Sequence, residues 1–237
     1  MRPSNRTPNQ IREVSIQTNV NAYAEGSCLV KFGNTHVLCT ASIEEKVPPF
    51  LRNKGTGWVS AEYNMLARST HTRNSRDPMK PNGRNIEIQR LIGRSLRSVI
   101  DVKKLGERQI TIDCDVLQAD GGTRCASITG GYVALALAVK KILAQNLIKT
   151  NPLTGGVCAV SCGIFNGQEI ADLDYAEDSK CETDCNFVIN KNFDLIEVQG
   201  TAEQGAMSFT QVSKMYELAR KAAAEIFEIQ EKAIGSL

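Results

Sequence analysis

Ile110-Thr111-Ile112-Asp113-Cys114-Asp115-Val116-Leu117-Gln118-Ala119-Asp120-Gly121-Gly122-Thr123-Arg124 alternates apolar and polar residues and then breaks at two glycines. The alternation predicts a strand. An Ala- and Leu-rich pattern follows, predicting a helix from Cys125 to about Asn146. A strand, a glycine turn and a helix start can form an anion site. The first helical N–H groups lack intrahelical partners, and the helix dipole adds partial positive charge there. Glycine permits close backbone approach, Thr123 supplies a hydroxyl, and Arg124 supplies a fixed, forked cation. The same residues also suit an ordinary strand–helix connection, and this stretch alone leaves both readings open.

Outward from this stretch, the N-terminal part reads as strands at Gln10 to Thr18, Gly26 to Phe32, Thr35 to Ile43 and Trp58 to Tyr63. A helix is predicted from Asn85 to about Ile100, with Ile88, Leu91, Ile92, Leu96 and Val99 on its core face and Arg84 just before its first turn. Glu87, Arg90, Arg94 and Arg97 form a second face, suited to salt-bridged packing or a subunit contact. Strands follow at Val157 to Phe165, at 181 to 189 and at Asp194 to about Thr201. A last helix is predicted from about Thr210 to Ala233, with Val212, Met215, Tyr216, Ala219, Ala223, Ile226 and Phe227 facing the core.

The 237 residues carry a net charge of +2 and 42% hydrophobic residues. That is enough for a full core, and it excludes a polycation. Any nucleic-acid contact must therefore be local. The segment from Ala67 to Asn85 offers one: it holds Arg68, Arg73, Arg76, Lys80 and Arg84 against a single acid, Asp77. It reads either as a solvated loop or as an arm gripping a phosphate backbone. It contains no Phe, Tyr or Trp, so base stacking is not its expected task. The start, Met1-Arg2-Pro3-Ser4-Asn5-Arg6, lacks an apolar signal core, and the longest apolar run, Tyr132 to Val139, is too short for a bilayer. A cytoplasmic location with no membrane contact is expected.

Eight cysteines are expected to be buried and reduced. The pairs Cys158/Cys162 and Cys181/Cys185 have Cys-x3-Cys spacing, but on strands four residues span roughly 13 Å, too far for one zinc. Of the two histidines, His36 falls in a strand and His71 in the basic loop. Chemistry here must rest on Arg, Asp and backbone groups. An acidic cluster runs from Asp172 to Ser179, with Asp178 at the entrance of a strand and Asp184 on that strand's more polar face. It reads as an acidic surface loop or as a carboxylate pair that holds Mg2+ or handles a proton.

Two Arg-bearing helix starts, an acidic pair and a basic loop meet in one chemistry: attack of inorganic phosphate on the terminal phosphodiester of RNA. Several long motifs carry a resemblance. These are Arg2-Pro3 with Arg6, Glu62-Tyr63-Asn64-Met65-Leu66, Glu87-Ile88-Gln89-Arg90-Leu91-Ile92-Gly93-Arg94-Ser95-Leu96-Arg97, Cys114 through Arg124, and Asp174-Tyr175-Ala176-Glu177-Asp178-Ser179. With these the chain resembles the ribonuclease PH family, the phosphate-dependent tRNA nucleotidyltransferases related to polynucleotide phosphorylase and the exosome ring.

The resemblance implies an α/β (α+β) fold of the ribosomal protein S5 domain 2-like type, with mixed sheets packed with helices in a single domain, 1–237. It implies a homohexamer built as a trimer of dimers, and trimming of tRNA precursors from the 3′ end with release of nucleoside diphosphates. Arg84, Gly122, Thr123 and Arg124 would bind phosphate, and Asp178 and Asp184 would be the catalytic, metal-linked carboxylates, with Mg2+ the expected ion. Arg68, Arg73 and Arg76 would hold tRNA. Departures from the family pattern are Ala67 in place of Pro, and Cys181 and Cys185 in place of Ala and Met. The alternatives are an inactive RNA-binding ring subunit and a hydrolytic, metal-dependent nuclease.

Overall fold

In a computed structural model, residues 2–75, 83–203 and 205–235 are described. Arg76 and Lys80 of the basic loop lie outside them. Two sheets sandwich a central helix. The first sheet contains β1 (Val14–Thr18), β2 (Gly26–Phe32), β3 (Thr35–Glu44), β4 (Trp58–Met65) and β5 (Gln109–Gln118), in the order β1-β2-β3-β5-β4. Among the described residues only β4 and β5 run parallel. The link between them carries α1 (Gly83–Arg97) and α2 (Val102–Leu105). The central helix α3 (Thr123–Ala144) then leads to an antiparallel second sheet in the order β7-β6-β8-β9. Its strands are β6 (Val157–Phe165), β7 (Gln168–Ala171), β8 (Thr183–Asn190) and β9 (Leu195–Ala202). A short helix, α4 (Tyr175–Asp178), precedes β8, and α5 (Phe209–Ile234) closes the chain. This bears out the expected α/β class with mixed sheets.

One apolar cluster runs through both sheets, α1, α3 and α5. The face expected for α1 is buried at Ile88, Leu91, Ile92 and Leu96, and that of α5 at Met215, Ala219, Ala223, Ile226 and Phe227. Val212 and Tyr216 are only partly covered. Helix α3 lies unusually close to β2 and β3. A Cβ at Gly130 would come within 2.6 Å of Val30 and 2.8 Å of Cys39, so only glycine fits there. Although α3 is long and apolar enough to cross a membrane, 78% of its most apolar window is buried inside the protein. The 18-residue window reaches beyond the unbroken run Tyr132 to Val139, and it is spent on packing both sheets.

Several boundaries differ from the sequence reading. Residues 10–13 do not extend β1, because Arg12 turns its backbone N–H and side chain to Asp172. Helix α1 starts at Gly83, which puts Arg84 inside the first turn rather than before it. Helix α3 starts at Thr123, not Cys125, with Gly122 as its N-cap. Asp178 ends α4, and β8 begins only at Thr183, leaving Cys181 outside the strand. The four-residue elements α2, α4 and β7 are too short to show a period. All eight cysteines are free and buried.

Candidate active site

The turn from β5 to α3 uses two consecutive residues of positive φ, Gly121 at 73° and Gly122 at 65°. At Gly121 the requirement is double. A side chain would be strained by the backbone angle, and its Cβ would meet the Leu173 carbonyl oxygen at 2.6 Å. The glycine turn therefore packs backbone to backbone against the segment that leads into α4. This contact brings the α3 N-terminus beside Asp178. Thr35 fixes the turn from below, accepting from the Asp120 N–H at 2.9 Å and donating to the Gly121 carbonyl at 2.7 Å.

Thr123 and Arg124 are the first residues of α3. Neither is idle. The Thr123 hydroxyl is hydrogen-bonded to that of Tyr63 at 2.9 Å in a buried contact, and Arg124 donates from Nη2 to Glu87 on α1 at 3.1 Å. The Arg124 Nε is buried, with no hydrogen-bond partner among the described residues. A buried guanidinium N–H left over is a donor suited to an anion. Arg84 precedes Glu87 by three positions, so both lie on one face of α1.

Arg84, Gly122, Thr123, Arg124, Asp178 and Asp184 all line one cavity of about 280 Å³. The two arginines converge electrostatically as well. Burial pushes the Tyr63 hydroxyl up from its ordinary range, while Thr123, Arg84 and Arg124 pull it back. Desolvation and then Asp184 raise the Asp178 carboxyl, opposed by Arg84, Arg124 and Arg12. The cavity thus sets two cations and a helix start against a carboxylate pair.

Asp178 and Asp184 form a two-carboxylate donor set, and the rise in Asp178 caused by Asp184 is the like-charge repulsion that a cation would relieve. No group of three or more His, Cys, Asp or Glu side chains able to hold a metal occurs among the described residues. The pair suits Mg2+, which commonly binds through one or two carboxylates together with substrate phosphates and water.

The acid-bearing helix stands on a buried ionic network that the sequence reading did not assemble. Arg2 grips Glu177 through two bonds of 2.7 and 2.8 Å. Arg6 reaches Asp172, Asp174 and Glu177 at 3.0–3.2 Å. Arg12 holds Asp172 through two bonds of 2.7 and 2.9 Å and also donates to the Asp120 carbonyl of the glycine turn. Three cations meet three carboxylates. Asp174 and Glu177 also close a capping box on α4. The only sequence signal was the density of Arg at the N-terminus, because each partner lies more than 150 residues away.

Burial would raise Asp172, but the Arg12 guanidinium outweighs it and holds the carboxyl below 3.8; Glu177 is likewise held below 4.5 by Arg2. Their folded-state pKa values are depressed, so their stabilising contribution is complete above the ordinary carboxylate range and is lost as pH falls through the folded values. Acid titration of the melting temperature is expected to show a steep loss between about pH 5 and 1, with a shallower slope in Asp172→Asn. An unchanged slope would remove Asp172 from the pH-sensitive set.

Arg68 and Arg73 are exposed and do not line the cavity, whereas Thr70 and Asn74 of the same loop do. Asn74 closes this loop, with its N–H bonded to the Ala67 carbonyl at 2.8 Å and its amide group bonded to Ser69 and Thr70. The Ala119 N–H ties the loop to the end of β5 through the Ser69 carbonyl.

Comparison with known proteins gives a consistent picture. A family model described as 3′ exoribonuclease family, domain 1, matches residues 10–141, and one described as domain 2 of that family matches residues 155–222. Ribonuclease PH of Caulobacter vibrioides is 56% identical over 237 residues, covering 99% of this chain and 100% of its own. That of Methylocella silvestris is 57% identical with the same coverage. Among solved structures, rice (Oryza sativa) Rrp46 superposes with a TM-score of 0.81 at 20% identity, covering 98% of this chain and 99% of that one. A chain of the Archaeoglobus fulgidus exosome with RNA bound to its active site reaches 0.82 at 21%, covering 96% and 91%. At such identities the structural likeness speaks for the fold.

Proposed function

The chain belongs to the 3′ exoribonuclease family that includes ribonuclease PH, and from that premise we propose how its cavity works. The protein is a phosphorolytic 3′→5′ exoribonuclease acting on tRNA, with inorganic phosphate as co-substrate. The observation that carries the site assignment is the shared cavity in which Arg84 and Arg124 face Asp178 and Asp184. In the finer reading it is a phosphate-dependent tRNA nucleotidyltransferase that trims tRNA precursors.

Phosphate is an anion, and so is the phosphodiester it attacks. Two unit charges at 4 Å repel by about 4 kcal/mol at an effective dielectric of 20. The Arg84 and Arg124 guanidinium groups, with the N-terminal end of the α3 dipole, offset that repulsion without reorganising. A phosphate oxygen bonds to the phosphorus of the last linkage, and the bond from phosphorus to the 3′-oxygen of the preceding nucleotide breaks. The products are a nucleoside 5′-diphosphate and RNA one residue shorter with a free 3′-hydroxyl. That hydroxyl takes the proton that hydrogen phosphate brings to the reaction. Asp178 and Asp184 would hold Mg2+, which when bound supplies neutralisation of phosphate charge. Arg68, Arg73 and Arg76 would grip the tRNA body, since the first two point to solvent outside the cavity. The assembly is read as a homohexamer, a trimer of dimers, which sedimentation at several concentrations tests.

The experiment is RNA shortening with and without phosphate. Nucleoside diphosphates that appear only with phosphate support the reading; monophosphates formed without it would replace it with hydrolysis, and no shortening would leave an RNA-binding scaffold. Within this frame Arg124→Ala is expected to raise the KM for phosphate about 10- to 100-fold, the worth of one or two charge-assisted hydrogen bonds, with RNA affinity unchanged. An equal loss of RNA binding would place Arg124 on the RNA instead.

A further inference from the structure

The wall of the cavity carries one tyrosine, in ring contact with a histidine, that the phosphate chemistry leaves without a task. Tyr175 opens α4 and lines the cavity, yet its side chain is 54% exposed. Its position three residues before Asp178 puts ring and carboxyl on the same face of the helical turn, and both line the cavity. The ring meets His71 with centroids 6.4 Å apart and planes tilted by 54°. His71 comes from the basic loop, about a hundred residues earlier in the chain. The Asn74 bonds and the Ala119–Ser69 tie hold that loop in place beside the cavity. Tyr175 is itself anchored, since its backbone N–H donates to Asp120 beside the glycine turn at 3.3 Å. Tyr175 therefore stands at the wall of a site that takes the 3′ end of RNA, and His71, between the lining residues Thr70 and Asn74 in sequence, backs its ring from a separately fixed segment.

We propose that Tyr175 and His71 form an aromatic clamp that stacks on a nucleobase near the RNA 3′ end and sets the terminal linkage against the phosphate site. The proposal rests on the phosphorolytic reading of the cavity. Aromatic faces stack on every base with little regard to its identity. An enzyme that removes successive, differing nucleotides needs that indifference, whereas hydrogen bonds to base edges would stall it. The basic loop, which holds no Phe, Tyr or Trp, gains its aromatic partner from the tertiary structure.

The test measures steady-state kinetics and equilibrium binding of a short oligoribonucleotide and of the same oligomer made abasic at each of its last three positions in turn. Tyr175→Ala is expected to raise the KM for RNA about tenfold, within the range of one lost stacking contact, with the KM for phosphate and the melting temperature unchanged. Tyr175→Phe and Tyr175→Trp should behave as wild type, and His71→Ala should show a smaller rise. One abasic position should weaken binding to wild type but not further weaken binding to Tyr175→Ala. The clamp is overturned if Tyr175→Ala binds RNA as wild type does, if Tyr175→Phe is as impaired as Tyr175→Ala, or if every abasic oligomer binds wild type like intact RNA. Failure of the phosphorolytic reading would show separately, as wild type releasing no nucleoside diphosphate, and the binding arm would still read the clamp.

Discussion

Asp184→Asn is expected to lower kcat by about 10²- to 10⁴-fold, the usual worth of a group that handles a proton or a metal at the reacting bond, while the melting temperature stays within a few degrees. The two halves of this expectation have separate origins. Asp184 sits on β8, held by its backbone pairing to Gly163 and Thr201, so the strand does not depend on its charge. Its charge does matter to Asp178, whose carboxyl it helps to raise. Asparagine keeps the shape, removes the repulsion and cannot neutralise a cation. The Asp178 carboxyl should then titrate lower, as the remaining neighbours Arg84, Arg124 and Arg12 favour its ionised form. Single-turnover assays at saturating RNA and phosphate, alongside thermal melts, give both readouts. Normal turnover would take Asp184 out of the chemistry. A large fall in melting temperature would make it structural.

Arg12→Ala is expected to do the reverse, damaging the fold first and catalysis through it. Arg12 is buried and bidentate to Asp172, and its Nη1 donates to the Thr35 hydroxyl and to the carbonyl of Asp120 in the glycine turn. Removing one partner of such a pair leaves an uncompensated buried charge, at a cost of about 3–5 kcal/mol. For a chain of this size that is a fall of roughly 6–20 °C in melting temperature. Because the same side chain joins the α3 turn to the segment before α4, the surviving fold should also show a reduced kcat with an intact cavity wall. Arg12→Lys keeps the charge but loses the fork, and should fall between. A melting temperature equal to wild type for Arg12→Ala would show that Arg6 alone satisfies Asp172.

The elements that were legible in the sequence are those long enough to show a period. Strands β2 and β5 and the core faces of α1 and α5 follow from alternation and from i, i+3, i+4 spacing, and β6 follows from its continuous apolar run. What escaped was short or non-periodic. Helix α4 has four residues, and its capping box lies within an acidic cluster that reads equally as a surface loop or a carboxylate pair. The start of α3 was placed two residues late because a Gly-Gly turn hides the helix N-cap. Arg84 and Arg124 belong to separate helix starts, and the shared cavity supplies their relation.

By itself the sequence determined which residues carry charge into the site, for motifs such as Asp120-Gly121-Gly122-Thr123-Arg124 declare a strand, a turn and a helix start through local sterics and hydrogen bonding alone. Only the tertiary structure decided how these parts meet. Gly121 packing on the Leu173 carbonyl, Arg2, Arg6 and Arg12 neutralising Asp172, Asp174 and Glu177, and His71 reaching Tyr175 are all contacts between segments about fifty residues or more apart. No local pattern encodes such contacts. They exist because two sheets closing on α3 bury charges that must then find partners in space.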